Sequence, residues 1–181
     1  MLIIRDARPD EYQRVGELTV AAYRALSVDH LWGGYDDGIL DTAGRAKQAD
    51  IIVAVHDDAV VGAVTFVTDE QSAWAEWIEP GEAQFRLLAV DPAARGLGAG
   101  RALAQECLAR AVARGMPVVI HTTPWMDVAR AMYERMGFVR RPDRDVPQSV
   151  WDDPPVEALP AEWVGQAFLG YSWNASTDRA G

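Results

Sequence analysis

A glycine-rich turn between an apolar run and a helical pattern is the first place where this sequence predicts chemistry. The segment from Phe85 to Val90 has the character of a strand, and the turn from Arg95 to Arg101 leads into a helix. Free backbone N–H groups and the positive end of a helix dipole together attract anions, above all phosphate. Arginines at both ends of the turn add charged hydrogen-bond donors. The turn therefore predicts a phosphate-binding site.

The glycine spacing excludes two common nucleotide motifs. A P-loop requires Lys and then Ser or Thr after its last glycine, whereas Gly100 is followed by Arg101 and Ala102. A dinucleotide fingerprint requires a third glycine where this chain has Arg101 or Leu103, depending on the starting position. The pattern that remains is Arg-x-x-Gly-x-Gly. A glycine pattern alone is weak, so an ordinary connection stays open as an alternative.

A second segment, from Ala129 to Phe138, follows the turn with an Ala, a Met-Tyr pair and a Gly-Phe pair. With the turn, it resembles the two signatures of GNAT acetyltransferases, and the resemblance extends from about Leu2 to Trp173. It implies acetyl-CoA as co-substrate, with the strand before the turn pairing with the pantetheine arm and the turn binding the pyrophosphate. The donor-binding residues implied are Leu88, Ala89, Val90, Arg95, Gly96, Leu97, Gly98, Ala99, Gly100 and Arg101.

The resemblance also implies catalytic roles. Tyr133 holds the position of the tyrosine that protonates the departing thiolate, although it also lies on an apolar helix stripe that predicts a core position. The acceptor amine must lose a proton, and a free alkyl amine has a pKa near ~10. Family members often use a glutamate near the strand before the turn, so the candidates are Glu76, Glu79 and Glu82, with Glu82 preferred.

Two positions depart from the family pattern. Met126 stands where many members carry an asparagine that contacts the CoA arm. Gln84, at the start of the strand, cannot act as a base, and it shares a face with Arg86 and Leu88 if no bulge intervenes. These departures support an alternative hypothesis, a CoA-binding regulatory or interaction domain without catalysis.

Other polar and aromatic residues give weaker indications. His121 ends a predicted strand, where it relays a proton in the cleft or simply completes a structural hydrogen bond. The three histidines lack ligand spacing with acids or cysteine, so we expect no metal. By the resemblance, segments bordering the acceptor cleft carry aromatic residues that would form a cation–π wall or pack in the core. These aromatic residues are Tyr23, Trp32, Tyr35, Trp74 and Trp77.

The elements that position these residues alternate between strand and helix patterns. Strands are predicted at 2–5, 51–55, 60–67, 84–90, 118–121, 138–140 and 164–173. Helices are predicted after Pro9 with apolar positions as far as Leu26, and at 36–47, 98–114 and 127–136, with 70–81 irregular and 141–160 a long loop. The pattern predicts an α/β (α+β) class. The resemblance implies the GNAT fold, a mixed, mostly antiparallel central sheet flanked by helices, as a single domain over 1–174 with a tail at 175–181.

Composition limits the partners. The 181 residues carry a net charge of −10, which argues against nucleic acid and suits a cationic amine of a small molecule or peptide. No apolar run reaches the length of a membrane span, and Cys107, the single cysteine, fits a reducing cytoplasm and a buried structural thiol. The leading hypothesis is an N-acetyltransferase, with a homodimer plausible by family habit. A toxin that acetylates charged tRNA is disfavoured by the acidic balance.

Overall fold

The computed structural model describes residues 1–25, 35–147 and 167–175. The strands are β1 (Leu2–Asp6), β2 (Asp50–His56), β3 (Ala59–Val67), β4 (Ala83–Val90), β5 (Val118–Thr122), β6 (Val139–Arg140), β7 (Val146–Pro147) and β8 (Ala167–Trp173). The helices are α1 (Tyr12–Arg24), α2 (Tyr35–Leu40), α3 (Thr42–Arg45), α4 (Ala99–Arg114) and α5 (Asp127–Arg135). No described helix has the length and apolar character of a membrane span.

The described strands form one sheet in the order β1-β2-β3-β4-β5-β8-β6, and β7 also pairs with β8. All pairs are antiparallel except β4 with β5, which are parallel neighbours. Parallel neighbours need a crossover connection, and α4 supplies it. The predicted class, a mixed and mostly antiparallel sheet flanked by helices, is confirmed.

Each face of the sheet is covered by helices. On one face α4 and α5 pack against the sheet through a buried cluster that includes Phe85, Leu103, Ile120 and Tyr133. On the other face α1 packs through Val15 and Leu18 against β2, β3 and β4. Cys107 is fully buried on the inner side of α4, and burial raises the pKa of its thiol. Cys107 therefore contributes to packing in the core.

The feature that positions the site is the separation of β4 from β5. The two strands are in register only at Ala83 with Val118 and at Gln84 with Val119. Beyond this point β4 contains a bulge, because two steps along β3, from Ala63 to Thr65, oppose three steps along β4, from Ala89 to Arg86. Leu87 has a φ of +51° there. A left-handed conformation costs a non-glycine residue roughly 1–2 kcal/mol, and bulges concentrate beside active sites.

Several element boundaries differ from the sequence predictions. The helix predicted at 36–47 is two helices, α2 and α3, because the Asp41 side chain accepts the backbone N–H of Gly44 and starts α3 afresh. The predicted loop at 141–160 contains the short strand β7, while 148–160 lies outside the described residues. Leu26 and Trp32 also lie outside them. The domain boundary at 174 stays a prediction.

Candidate active site

A cleft of about 830 Å³, open to solvent, lies where β4 and β5 separate. We call it the β4–β5 cleft. Its walls come from β4, the end of β5, α5, β8 and the segment before β4. Among the residues singled out from the sequence, the lining includes Tyr23, Glu76, Trp77, Gln84, Leu88, His121, Met126 and Tyr133. The fold therefore brings together residues that are far apart in the chain.

The edge of β4 beyond the bulge presents backbone groups to this cleft. Asp91 donates its N–H to Val61, so Asp91 faces β3. Backbone direction alternates along a strand, which turns the N–H and C=O of Val90 and of Leu88 toward the opposite side, where β5 has already diverged. Ala89 instead pairs with Ala63 of β3. An extended ligand with amide groups is able to pair with this open edge.

The glycine-rich turn lies at the N-terminus of α4, directly after β4. Gly98 caps the helix with a φ of +77° and has no side chain to bond the first-turn N–H groups, which leaves them available to an anion. Gly96 also has a positive φ, of +89°. Arg95 and Arg101 are exposed beside the turn, and Ala99 is buried against the core. The arrangement suits a pyrophosphate.

Tyr133 packs inside the cleft wall. Its ring lies 5.7 Å from the Phe85 ring and 5.6 Å from the Phe138 ring, measured between centroids, and only 7% of the residue is exposed. Burial raises the pKa of the Tyr133 phenol. The phenol therefore stays protonated, and its place in the cleft lining is what would bring this proton to a thiolate formed there.

Glu82 does not line the cleft in the part of the chain that the structure describes. Its carboxylate forms a two-pronged pair with Arg144, at 3.0 and 2.9 Å, and accepts the N–H of Glu79. Although burial opposes it, the Arg144 guanidinium and the Glu79 N–H lower the pKa of Glu82. This geometry does not support Glu82 as the base, and nothing in sequence spacing could reveal a partner so distant in the chain.

Glu76 is the predicted acid that does line the cleft. Arg86 pairs with one of its carboxylate oxygens at 2.7 Å. The buried Gln84 side chain fixes the Glu76 backbone in both directions, donating to its C=O at 2.9 Å and accepting its N–H at 3.1 Å. Gln84 is thus a support for Glu76. Leu88 packs with the opposite core cluster because the bulge reverses the alternation, so the expected shared face ends at Arg86.

His121 lies at the cleft end of β5. Its Nε2 donates to the C=O of Arg144 at 3.0 Å, and its ring meets Trp77 edge-on with centroids 5.2 Å apart. Burial lowers the pKa of the imidazole. His121 therefore completes a structural hydrogen bond and also borders the cleft, and its role as a proton relay stays a prediction.

The remaining sequence candidates have distinct places. Met126 lines the cleft, and its sulfur accepts from Thr122 Oγ1 at 3.5 Å, so the position of the family asparagine is occupied by a weak acceptor. Trp74 contacts the protein's own cations, with Arg45 and Arg86 over its ring. Tyr35 begins α2. Of the predicted aromatic wall, Tyr23 and Trp77 line the cleft.

Two features of the site carried no recognisable signal in the sequence, Phe168 of β8 and the pairing of Arg86 with a carboxylate. Phe168 lines the cleft and stacks at a tilt on Trp77, at 5.3 Å. β8 reaches the cleft only by pairing with β5, and Phe168 carried no motif that could have indicated this. The pairing of Arg86 with Glu76 depends on the irregular segment before β4, whose path no periodicity predicts.

A sequence model of the acetyltransferase (GNAT) family matches residues 7–138. The chain therefore belongs to this family, as its paired signatures indicated. A search of curated proteins finds no significant match.

Solved structures agree on the fold. A putative GNAT acetyltransferase from Desulfovibrio desulfuricans is similar with a TM-score of 0.69 at 17% identity, over 96% of this chain and 99% of that one. A GNAT acetyltransferase from Brucella melitensis, in complex with acetyl-CoA, is 26% identical over 77% of this chain and 83% of its own, with a TM-score of 0.58. A putative acetyltransferase from Salmonella typhimurium, solved with its cofactor acetyl-CoA, is similar with a TM-score of 0.63 at 16% identity. The match covers 95% of this chain and 91% of that one. Acyltransferase chemistry with acetyl-CoA is the activity these findings support.

Proposed function

We propose that this protein is an N-acetyltransferase that moves the acetyl group of acetyl-CoA to a primary amine of a small molecule or peptide by direct attack. The observation that carries the proposal is the β4–β5 cleft, which is lined by the open edge of β4 and by a protonated tyrosine. Gly100 of the uncapped glycine turn lies beside Leu88, one of the residues that line the cleft. Family membership supports the same donor.

The donor would lie along β4. The backbone groups of Leu88 and Val90 would pair with the amides of the pantetheine arm, and the turn from Arg95 to Arg101 would bind the pyrophosphate. With the thioester beside Val90, its N–H would stabilise the tetrahedral oxyanion. Tyr133 would protonate the CoA thiolate as the carbon–sulfur bond breaks.

The acceptor would enter beside Glu76. This carboxylate borders the cleft with one oxygen paired to Arg86, and the aromatic ring of Trp77 lines the same cleft. A carboxylate and an aromatic face together favour an ammonium group. The net charge of −10 adds long-range attraction for a cation. We infer that the acceptor arrives as a primary ammonium ion.

The activity requires no metal in this proposal. In the described residues no three His, Cys, Asp or Glu side chains group as metal ligands. We also propose a cytoplasmic setting, in which acetyl-CoA is available and the buried Cys107 stays reduced. We also propose a homodimer, because members of the family often form one.

The test is amine-dependent release of free thiol from acetyl-CoA, run over a panel of polyamines, amino acids, aminoglycosides and peptides, with and without a chelator. We expect at least one amine to release thiol well above the amine-free rate and to gain one acetyl group by mass. Unchanged rates in the chelator support a metal-independent reaction. The proposal fails if no amine accelerates release although acetyl-CoA binds.

That failure would favour the second candidate, a non-catalytic CoA-binding domain. Met126 in place of the family asparagine and the ion pair that occupies Glu82 are the observations on its side. Acetyl-CoA binding without thiol release, and tight binding of an unidentified partner protein instead, are its expected results.

A further inference from the structure

The imidazole of His121 is held in one tautomer by the backbone of a distant loop. Nε2 must carry its proton to donate to the Arg144 C=O, which leaves Nδ1 as a bare lone pair. The loop approaches this closely because β8 has a glycine opposite it, since a Cβ on Gly170 would lie 2.8 Å from the Arg144 oxygen. The fold thus orients His121 and fixes its protonation pattern.

The Nδ1 lone pair has no hydrogen-bond partner among residues 1–25, 35–147 and 167–175, although it is buried. A buried acceptor without a partner costs roughly 1–3 kcal/mol, so it calls for an explanation. The next residue but one, Thr123, has a buried and equally unpartnered hydroxyl, and both residues line the β4–β5 cleft. A structural histidine needs only the Nε2 bond, which leaves the Nδ1 lone pair of this cleft-lining residue without a use in the fold.

Three charged groups act on His121, and they are Arg144, Glu82 and Asp145. Arg144 carries a guanidinium that is paired with Glu82, and Asp145 is paired with Arg140 at 2.6 Å. Burial, the largest effect, lowers the pKa of His121 below its ordinary value, and the Arg144 charge acts in the same direction. The hydrogen bond to the Arg144 C=O and the carboxylates of Asp145 and Glu82 oppose this lowering without cancelling it. His121 is therefore neutral near pH 7 and able to accept a proton.

We propose that His121 is the general base of the acetyl transfer, with Nδ1 accepting a proton from the acceptor ammonium directly or through a water at Thr123. The proposal rests on the proposed N-acetyltransferase function and replaces Glu82 in that role. Glu76, which lines the same cleft, binds the ammonium and does not need to deprotonate it.

The proton balance closes with His121 and Tyr133 alone. The ammonium gives one proton to Nδ1, and the free amine attacks the thioester carbon. The C–N bond forms, the C–S bond breaks, and Tyr133 gives its proton to the thiolate. The second proton of the new amide nitrogen restores Tyr133, and the His121 imidazolium releases its proton to solvent.

The main test is His121→Gln, whose terminal amide is able to keep the bond to the Arg144 C=O but cannot act as a base. We expect kcat to fall on the order of 10²-fold, with acetyl-CoA still raising the melting temperature as in wild type. The matched control is His56→Gln, a histidine at the end of β2 that is paired with Asp57, and it should keep wild-type rates.

The pH profile separates a base from a structural residue. The ionisation of the acceptor affects both proteins equally, so the ratio of wild-type to His121→Gln rates isolates the imidazole. The ratio should be large above the pKa of His121 and should approach one as the pH falls through it, because protonation removes the base. For weakly basic acceptors such as hydrazines, already deprotonated at pH 7, the defect should shrink. A ratio independent of both pH and acceptor basicity would overturn the proposal.

An NMR measurement tests the required tautomer even if no acceptor is found. With ¹⁵N-labelled imidazoles at neutral pH, the signal lost in His121→Gln should show a protonated Nε2 and an unprotonated Nδ1. A proton on Nδ1 at pH 7 would overturn the assignment of His121 as base. Absence of amine-dependent thiol release with the expected tautomer would instead place the failure in the acetyltransferase function.

Discussion

At the scale of single residues, Tyr133 shows how burial and chemistry combine. Its ring packs against Phe85 and Phe138, as a core residue would, and its position borders the cleft. The same burial that stabilises the ring raises the pKa of the phenol and preserves the proton it would donate. The core and catalytic interpretations of the sequence are therefore compatible.

Replacing Tyr133 with Phe tests the proton donor. We expect kcat to fall roughly 10²-fold while acetyl-CoA affinity changes little, because only the hydroxyl is lost. Steady-state kinetics and calorimetric titration of acetyl-CoA measure the two quantities. Tyr171→Phe is the control, a buried tyrosine of β8 whose hydroxyl donates to Glu134 away from the described cleft lining. Normal turnover by Tyr133→Phe would remove this residue from the mechanism.

Glu11 makes a second prediction at this scale, about stability. Hydrogen bonds from Arg5 and from the Arg8 N–H lower the pKa of this carboxylate to about 2, although burial opposes them. Folding therefore favours the ionised form of the Glu11 carboxyl group, and ionised Glu11 in turn stabilises the folded state. This stabilisation is complete above the ordinary pKa of 4.5 and is lost as the pH falls through about 2.

Glu11→Gln should therefore lower the free energy of unfolding by about 2–3 kcal/mol at pH 7, measured by urea denaturation. The gap between the variant and wild type should narrow at pH 3. Asp10→Asn is a suitable control, because Asp10 is 75% exposed and pairs only weakly with Arg8. An equal gap at both pH values would show that the ion pair is not its source.

At the scale of elements, periodicity and turn residues predicted most strands and helices, because each of these encodes its own pattern. The bulge in β4 could not be predicted, since Leu87 is an ordinary apolar residue with no preference for a positive φ. Which of Glu76 and Glu82 lines the cleft could not be predicted from the sequence either. It depends on Gln84 and Arg144, whose contacts form only when distant segments fold together.

The glycine turn at the start of α4 can be tested by substitution, and the glycine at the other end of the same helix serves as the control. Gly98 and Gly115 begin and end α4 with φ values of +77° and +67°, and a Cβ at either would meet nothing within 4 Å. Alanine at either site should cost about 1 kcal/mol of stability from backbone strain. Only Gly98→Ala should also weaken acetyl-CoA binding, since it disturbs the proposed pyrophosphate site.

Calorimetric titration of acetyl-CoA into the two variants separates these effects. We expect a loss of affinity of at least tenfold for Gly98→Ala and near wild-type affinity for Gly115→Ala. Equal affinities would mean that the turn does not hold the pyrophosphate.

At the scale of the whole molecule, the site lies where the pairing between two neighbouring strands of the sheet ends. Neighbouring strands β4 and β5 pair only at one end, at Ala83 and Gln84, and they are no longer paired where β4 reaches its bulge. The two faces are filled by α1 and by α4 with α5, so the gap is the place where an extended ligand is able to add to the sheet. Fold class and donor were predictable from the two motifs. The acceptor side is built by residues from β8 and from irregular segments, which no motif marks.

In the proposed function, acetyl-CoA lies along the open edge of β4 with its pyrophosphate at the turn, and every other step depends on this placement. Hydrogen–deuterium exchange of the protein with and without saturating acetyl-CoA tests it most directly. We expect slower exchange in peptides covering Leu88 to Val90 and Gly96 to Arg101, with no change in the hairpin of β2 and β3. Unchanged exchange at both segments of a protein that binds acetyl-CoA would contradict the account.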